Sequence, residues 1–107
     1  MRRVNEAVRE VVSARLAEGL RDPRIGFVTV TSVETSPDLR QARVYVSVLG
    51  DDEQRAATMA GLESAHGVLQ RSVARELRLK HTPMLQFVFD ESIERGMRIS
   101  ELLDDEQ

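Results

Sequence analysis

A helical pattern that breaks at Ala65-His66-Gly67 and then resumes, set between two stretches of strand-like alternation, is what most limits the folds open to this chain. Ahead of it, Ala42, Val44, Val46 and Val48 fall on one side of a strand and Arg43, Tyr45 and Ser47 on the other. Such alternation describes a sheet covered on one face and wetter on the opposite one. Behind it, Pro83 forces extended backbone, and Leu85, Phe87 and Phe89 alternate again. Two strands joined through a pair of helices suit a right-handed parallel crossover, since a tight hairpin cannot span that length.

Within the crossover, Asp51-Asp52-Glu53 opens the first helix, where carboxylates cap free amides and complement the helix dipole. Ala56, Met59, Ala60 and Leu62 carry its buried stripe to Ala65, and Gly67 is predicted to mark the joint. The second helix then runs to about Leu79. Earlier in the chain, Val4, Val8, Val12, Leu16 and Leu20 recur every four residues, which predicts a helix from about 3 to 20. Gly19 and Asp22-Pro23 end it. The β-branched run from Ile25 to Thr35 reads as a strand, and Ser36-Pro37-Asp38 turns it back into the next one as an antiparallel hairpin. A last helix is expected from near Ser92 to near Leu103, with Ile93, Met97 and Ser100 inward, followed by an acidic tail over 104–107. The predicted fold is therefore α+β: one domain over 1–103, ordered α-β-β-α-α-β with a C-terminal helix, its three-stranded mixed sheet covered by helices on one face.

Charge matters here through its distribution. The net charge of −3 argues against nonspecific coating of nucleic acid. Yet residues 67–81 carry Arg71, Arg75, Arg78 and Lys80 against one acid, Glu76. Arg71, Arg75 and Arg78 share one helical face, opposite Leu69, Val73 and Leu77, and Glu76 is expected to point away from them. Like charges at these spacings repel by a few tenths of a kcal/mol per pair. Local stability thus gives little reason for the stripe, whereas an anionic partner would, and arginine offers bidentate phosphate contacts. The bland alternative is a solvated helix face. For Gly67 it is a left-handed helix cap, against which stands a second helix whose N-terminal amides could take a phosphate. Arg21, Arg24 and Arg43 are candidate accessory cations.

Catalysis finds no foothold. His66 and His81 lack further ligands at a metal-binding spacing, so no metal is expected. Ser64 beside His66 reads as a helix-end residue, and the scattered glycines form neither a P-loop nor a dinucleotide fingerprint, so no cofactor is expected. There are no cysteines, the first residues are charged, and no apolar run approaches the roughly 20 residues of a membrane span. A cytoplasmic, non-enzymatic monomer is the expectation. Tyr45 alone is too little for a base-stacking sheet. A protein-interaction role for the open sheet face or an edge strand is the other class of reading.

The helix-joint-helix unit between two strands is similar to the type II KH module, which grips single strands with a GXXG loop. Ser64-Ala65-His66-Gly67 keeps only the last glycine of that loop. Several further segments match together: Asp22-Pro23-Arg24-Ile25-Gly26, Val33-Glu34-Thr35-Ser36-Pro37-Asp38-Leu39, Ala42-Arg43-Val44-Tyr45-Val46-Ser47, and Pro83 to Ser92 followed by Gly96-Met97-Arg98-Ile99. With them the chain resembles the ribosome-binding factor A family, whose KH-like domain has a kinked Ala-x-Gly joint. The resemblance implies a maturation factor that associates with free 30S subunits and acts on 16S rRNA near its 5′ end, with ribosomal proteins or other assembly factors as further partners, and with a role in cold growth in some bacteria. It places Ala65, His66 and Gly67 on the family's kink.

Overall fold

The computed structural model of the protein describes residues 2–92. Helix α1, Arg2–Glu18, lays Val8 and Val12 fully into the core, with Val4, Val11 and Leu16 beside them. It stops two residues earlier than the periodicity predicts, because Gly19 takes a φ of 89° and turns the chain out of the helix. Leu20 still packs against the core from outside the helix.

Strand β1, Val28–Thr35, is also shorter than the β-branched run suggests. Ile25 and Gly26 belong instead to a loop held by Thr58. That buried hydroxyl donates to the Arg24 carbonyl at 3.3 Å and accepts the Gly26 N–H at 3.3 Å. Within β1 the register slips between Val30 and Ser32, a bulge that lets Val30 and Val33, three residues apart, both face the core. The extra residue, Thr31, donates to Tyr45 O at 3.3 Å and Asp90 Oδ2 at 2.5 Å.

The turn follows Asx chemistry: Asp38 accepts from the Ser36 hydroxyl and the Arg40 N–H. Strand β2, Gln41–Val48, then buries Ala42, Val44, Val46 and Val48 as the alternation requires. Helix α2, Asp52–Ser64, starts with a capping box. Asp51 accepts the Gln54 N–H at 2.8 Å, and the Gln54 side chain accepts the Asp51 N–H at 2.8 Å. Asp51→Ala should therefore cost about 1 kcal/mol in urea unfolding, with no change in the fold.

Helix α3, His66–Leu77, ends at Arg78, which caps it with a left-handed backbone at φ 49°. The predicted end at Leu79 is thus two residues late. Strand β3, Met84–Phe89, pairs parallel to β2, Ala42 opposite Leu85 and Val46 opposite Phe89. Sheet order is β1-β2-β3, with β1 antiparallel to β2. Leu62, Leu69 and Val73 of α2 and α3 join Val8 and Val12 over one face of this sheet. Arg43 and Tyr45 lie on the other, where the Tyr45 hydroxyl reaches Glu34 at 3.2 Å. The architecture is the predicted α+β one. The helix expected beyond Ser92 and the acidic tail over 104–107 lie outside the described residues.

Candidate nucleic-acid interface

One residue separates α2 from α3, and it is Ala65, with φ −85° and ψ 1°. Hydrogen bonding runs through it: its N–H bonds Gly61 O at 2.9 Å and its carbonyl accepts the Leu69 N–H at 3.1 Å. The kink is therefore a single residue off helical geometry, hydrogen-bonded to both helices. Gly67 lies one residue inside α3, which corrects its assignment as the joint or as a left-handed cap.

Gly67 lies beneath the Arg71 side chain. A Cβ there would sit 3.4 Å from Arg71 Nη1, so the guanidinium folds back over the first turn of α3. Helical side chains lean toward the N-terminus, which makes this reach natural for a residue four positions on. A cation at the positive end of a helix dipole is disfavoured unless an anion joins it. Among the described residues no side chain caps that end: Ala65, at the cap position, has none to offer. Uncapped amides and a guanidinium thus converge where a phosphate would be bound.

His66 is fixed rather than offered. Its Nε2–H donates to Leu85 O at 2.8 Å, and its ring meets Phe87 edge-on at 6.3 Å. Gln70 adds two more ties, donating to Pro83 O just before the strand at 2.7 Å and accepting the Leu85 N–H within it at 2.9 Å. Together they lock α3 on β3, so its N-terminus keeps one direction.

Arg71 and Arg75 are exposed along a groove of about 540 Å³ between α3 and α1. Glu76 lines the same groove, contrary to the expectation that it points away, and α1 adds Arg15, Glu10 and Glu18. Arg15 is itself paired with Glu18 at 3.0 Å. Among the described residues, Arg71, Arg75, Arg78 and Lys80 make no ion pair. Arg78 lies at the cap and Lys80 in the following loop, both exposed, so the helical stripe proper consists of Arg71 and Arg75.

Of the accessory cations, Arg24 joins the site through its scaffold. Its guanidinium grips Asp22, with Nε to Oδ1 at 2.9 Å and Nη2 to Oδ2 at 2.6 Å, and donates to Ser64 Oγ at 2.9 Å. This clamps the loop after α1 onto the end of α2, and Arg21 is exposed in that loop. Arg43 stands apart, on the open sheet face across from Glu34.

The clamp sets a pH dependence. Hydrogen bonds from the Arg24 guanidinium, and then from its N–H, lower the Asp22 carboxyl from 3.8 to about 2. A folded value below the unfolded one means the ionised clamp favours the fold above a pH of about 4 and loses that effect as pH falls through about 2. The Asp22 carboxyl carbon should titrate near 2 by NMR, and in Arg24→Ala it should return toward 3.8.

A second glycine, not singled out by the sequence pattern, decides how the loop and the joint meet. Gly61 is buried in the last turns of α2, and a Cβ there would come within 2.6 Å of Ile25 Cγ1 and 3.5 Å of Arg24 Cβ. Its signal was present as a glycine inside a helical pattern, which costs about 1 kcal/mol and implies a packing reason.

Among the described residues no cluster of acids and histidines is arranged to hold a metal, and no helix is long and apolar enough to cross a membrane. A mixed sheet whose crossover is a kinked helix pair, with the Arg71 guanidinium over the start of its second helix, defines a KH-like domain of type II connectivity in which Ala65 stands where a GXXG loop would be. Comparison with known proteins is more specific. The chain belongs to the ribosome-binding factor A family, whose model matches residues 1–103. Ribosome-binding factor A of Geobacter sulfurreducens is 50% identical over 101 residues, covering 94% of this chain and 86% of that protein. The Anaeromyxobacter dehalogenans protein is 59% identical over 102 residues, covering 94% and 74%. The crystal structure of ribosome-binding factor A from Thermus thermophilus superposes with a TM-score of 0.68 at 26% identity, over 80% of this chain and 91% of that one. Coordinates of the Thermus protein fitted into the cryo-EM map of its 30S complex give a TM-score of 0.66 at 25% identity, over 81% and 91%.

Proposed function

We propose that this protein binds free 30S ribosomal subunits and assists late maturation of 16S rRNA near its 5′ end, without catalysing a reaction. Family membership supports the binding, as does the likeness to the Thermus protein fitted into a 30S complex. The observation that carries the mechanism is the Arg71 guanidinium folded over Gly67 at the uncapped start of α3. Ser64, Ala65, His66 and Gly67 shape the phosphate site through their backbone, and Arg71, Arg75, Arg78 and Lys80 extend it. Arg21 and Arg24 flank it from the clamped loop. The binding energy favours one rRNA conformation over its competitors, because a ligand shifts a population only by its differential affinity. Without a GXXG loop, recognition rests on the shape of folded rRNA and on its ribosomal context. In this reading the protein acts in the cytoplasm as a monomer, needs no cofactor, and supports ribosome assembly in the cold.

Sucrose-gradient fractionation tests the proposal. The protein is expected with 30S subunits and not with 70S ribosomes. With about four phosphate contacts, log affinity should fall against log salt with a slope of roughly −3 to −4, taking the duplex coefficient. Migration with neither particle at low salt would remove the proposal.

A further inference from the structure

Arg78 and Lys80 lie off the helical stripe, and the register of the sheet gives them neighbours. Thr35, Ala42 and Leu85 form one row across β1, β2 and β3. A helix meets that row at each side. The Thr35 hydroxyl donates to the Asn5 side chain of α1, and Gln70 of α3 accepts the Leu85 N–H. Helix α1 runs antiparallel to β1, since Leu16 and Leu20 line a groove with Val28–Val30, whereas Arg2 and Asn5 line one with Thr31–Val33. Its first turn therefore extends past the row. Helix α3 runs antiparallel to β3, because His66 bonds Leu85 O while Gln70, one turn on, bonds Pro83 O. The rise from Gln70 then carries Arg78 about 12 Å further along α3, past the row as well. The hairpin turn adds Arg40, whose carbonyl accepts the Met84 N–H at 2.8 Å at the start of β3.

One end of the sheet thus gathers Arg2, Arg3, Arg40, Arg78 and Lys80, all exposed. Among the described residues Arg2, Arg3, Arg78 and Lys80 make no ion pair, and Arg40 reaches Asp38 only at 4.0 Å. Glu6, the acid nearest in sequence to Arg2 and Arg3, stands 4.0 Å from Arg9. The first turn of α1 carries no acid, and arginines at the positive end of its dipole weaken the helix unless an anion joins them. Local stability gives no reason for this gathering. The end is also separate from the phosphate site at the start of α3. Along each helix a carboxylate of the arginine groove intervenes, Glu76 before Arg78 and Glu10 before Arg3.

We propose that this cationic end of the sheet holds a second segment of RNA backbone, so that the protein bridges two rRNA strands. Arg2 and Arg3 meet its phosphates from α1, beside Arg78 and Lys80 and with Arg40 at the margin. Arginine suits the task through its bidentate fit to phosphate. Once one strand is bound, the other is at high effective concentration only in rRNA folds that place it within reach. The bridge therefore favours those folds over their competitors. The inference rests on the rRNA-binding reading for the kind of polymer and adds the second contact to it.

Amide NMR of the full chain, titrated with a short oligouridylate at low salt, tests it. Two sets of shifts are expected, one at His66–Arg71 and one at Arg2–Val4 with Arg78–His81. Arg2→Gln with Arg3→Gln, both exposed and unpaired, should remove the second set, keep the first, and weaken binding to 30S subunits at least tenfold. The salt slope of 30S binding should be steeper by about two than the contacts on α3 and its cap account for, and the double variant should lose that increment. Absence of shifts at Arg2–Val4 would overturn the proposal. Loss of both sets together in the double variant would mean one continuous site and overturn it as well. Equal shifts at this end with polyglutamate or with phosphatidylserine vesicles would give it to another anion, with the same consequence. Shifts at this end with none at His66–Arg71 would instead overturn the α3 site while upholding the contact proposed here.

Discussion

Reversing Arg71, Arg75 and Arg78 to glutamate is expected to abolish co-sedimentation with 30S subunits while the protein stays folded. All three side chains are exposed and make no ion pair among the described residues. Each change should therefore alter stability by no more than about 0.5 kcal/mol. Binding is another matter. A charge-assisted hydrogen bond contributes about 1.5–3 kcal/mol, so losing three weakens the complex by roughly a thousandfold or more. Reversed charges beside Glu10, Glu18 and Glu76 would then repel phosphate from the whole groove. Lysine at the same positions should retain part of the affinity, because it keeps the charge and loses the bidentate geometry. Undiminished co-sedimentation by a folded triple variant would remove α3 as the phosphate grip.

The second large effect is expected at Gly61. Alanine normally stabilises a helix interior by about 1 kcal/mol over glycine. Here its Cβ would stand 2.6 Å from Ile25 Cγ1, on a β-branched side chain that has little freedom to turn away. Overpacking of this kind costs about 1–3 kcal/mol, so Gly61→Ala should be net destabilising, and Gly61→Val more so. The loop that Arg24 ties to Ser64 would be pushed from the joint, weakening 30S binding as well. A double-mutant cycle identifies the cause. Ile25→Ala makes room for the new methyl, so the paired variant should be more stable than the sum of single losses requires. A Gly61→Ala protein more stable than the parent would mean that the close approach does not constrain the fold.

These two sites differ in how far they could be read in advance. The arginines are legible because helical periodicity alone groups Arg71 with Arg75, four residues apart on one face. Their surroundings are not. Glu10 and Glu18 reach the same groove from α1, more than fifty residues away in the chain. Gly67 invites the wrong geometry, since a glycine beside a break looks like a left-handed cap until the backbone is seen to be helical. The bulge at Thr31 escaped because a run of β-branched residues carries no mark of where its register slips.

By itself the sequence determined the order of elements, the covered face of the sheet and the basic character of the second crossover helix. Those follow from periodicities of two and 3.6 and from proline and acidic starts, all of which act over a few residues. Only the tertiary structure decided that Ala65 is the kink, that His66 and Gln70 tie α3 to Leu85 of β3, and that Gly61 admits Ile25. It alone also brought Arg2 and Arg3 to the end of the sheet that Arg78 and Lys80 share. Each of these is a contact between residues distant in the chain, fixed by packing geometry that no local pattern encodes.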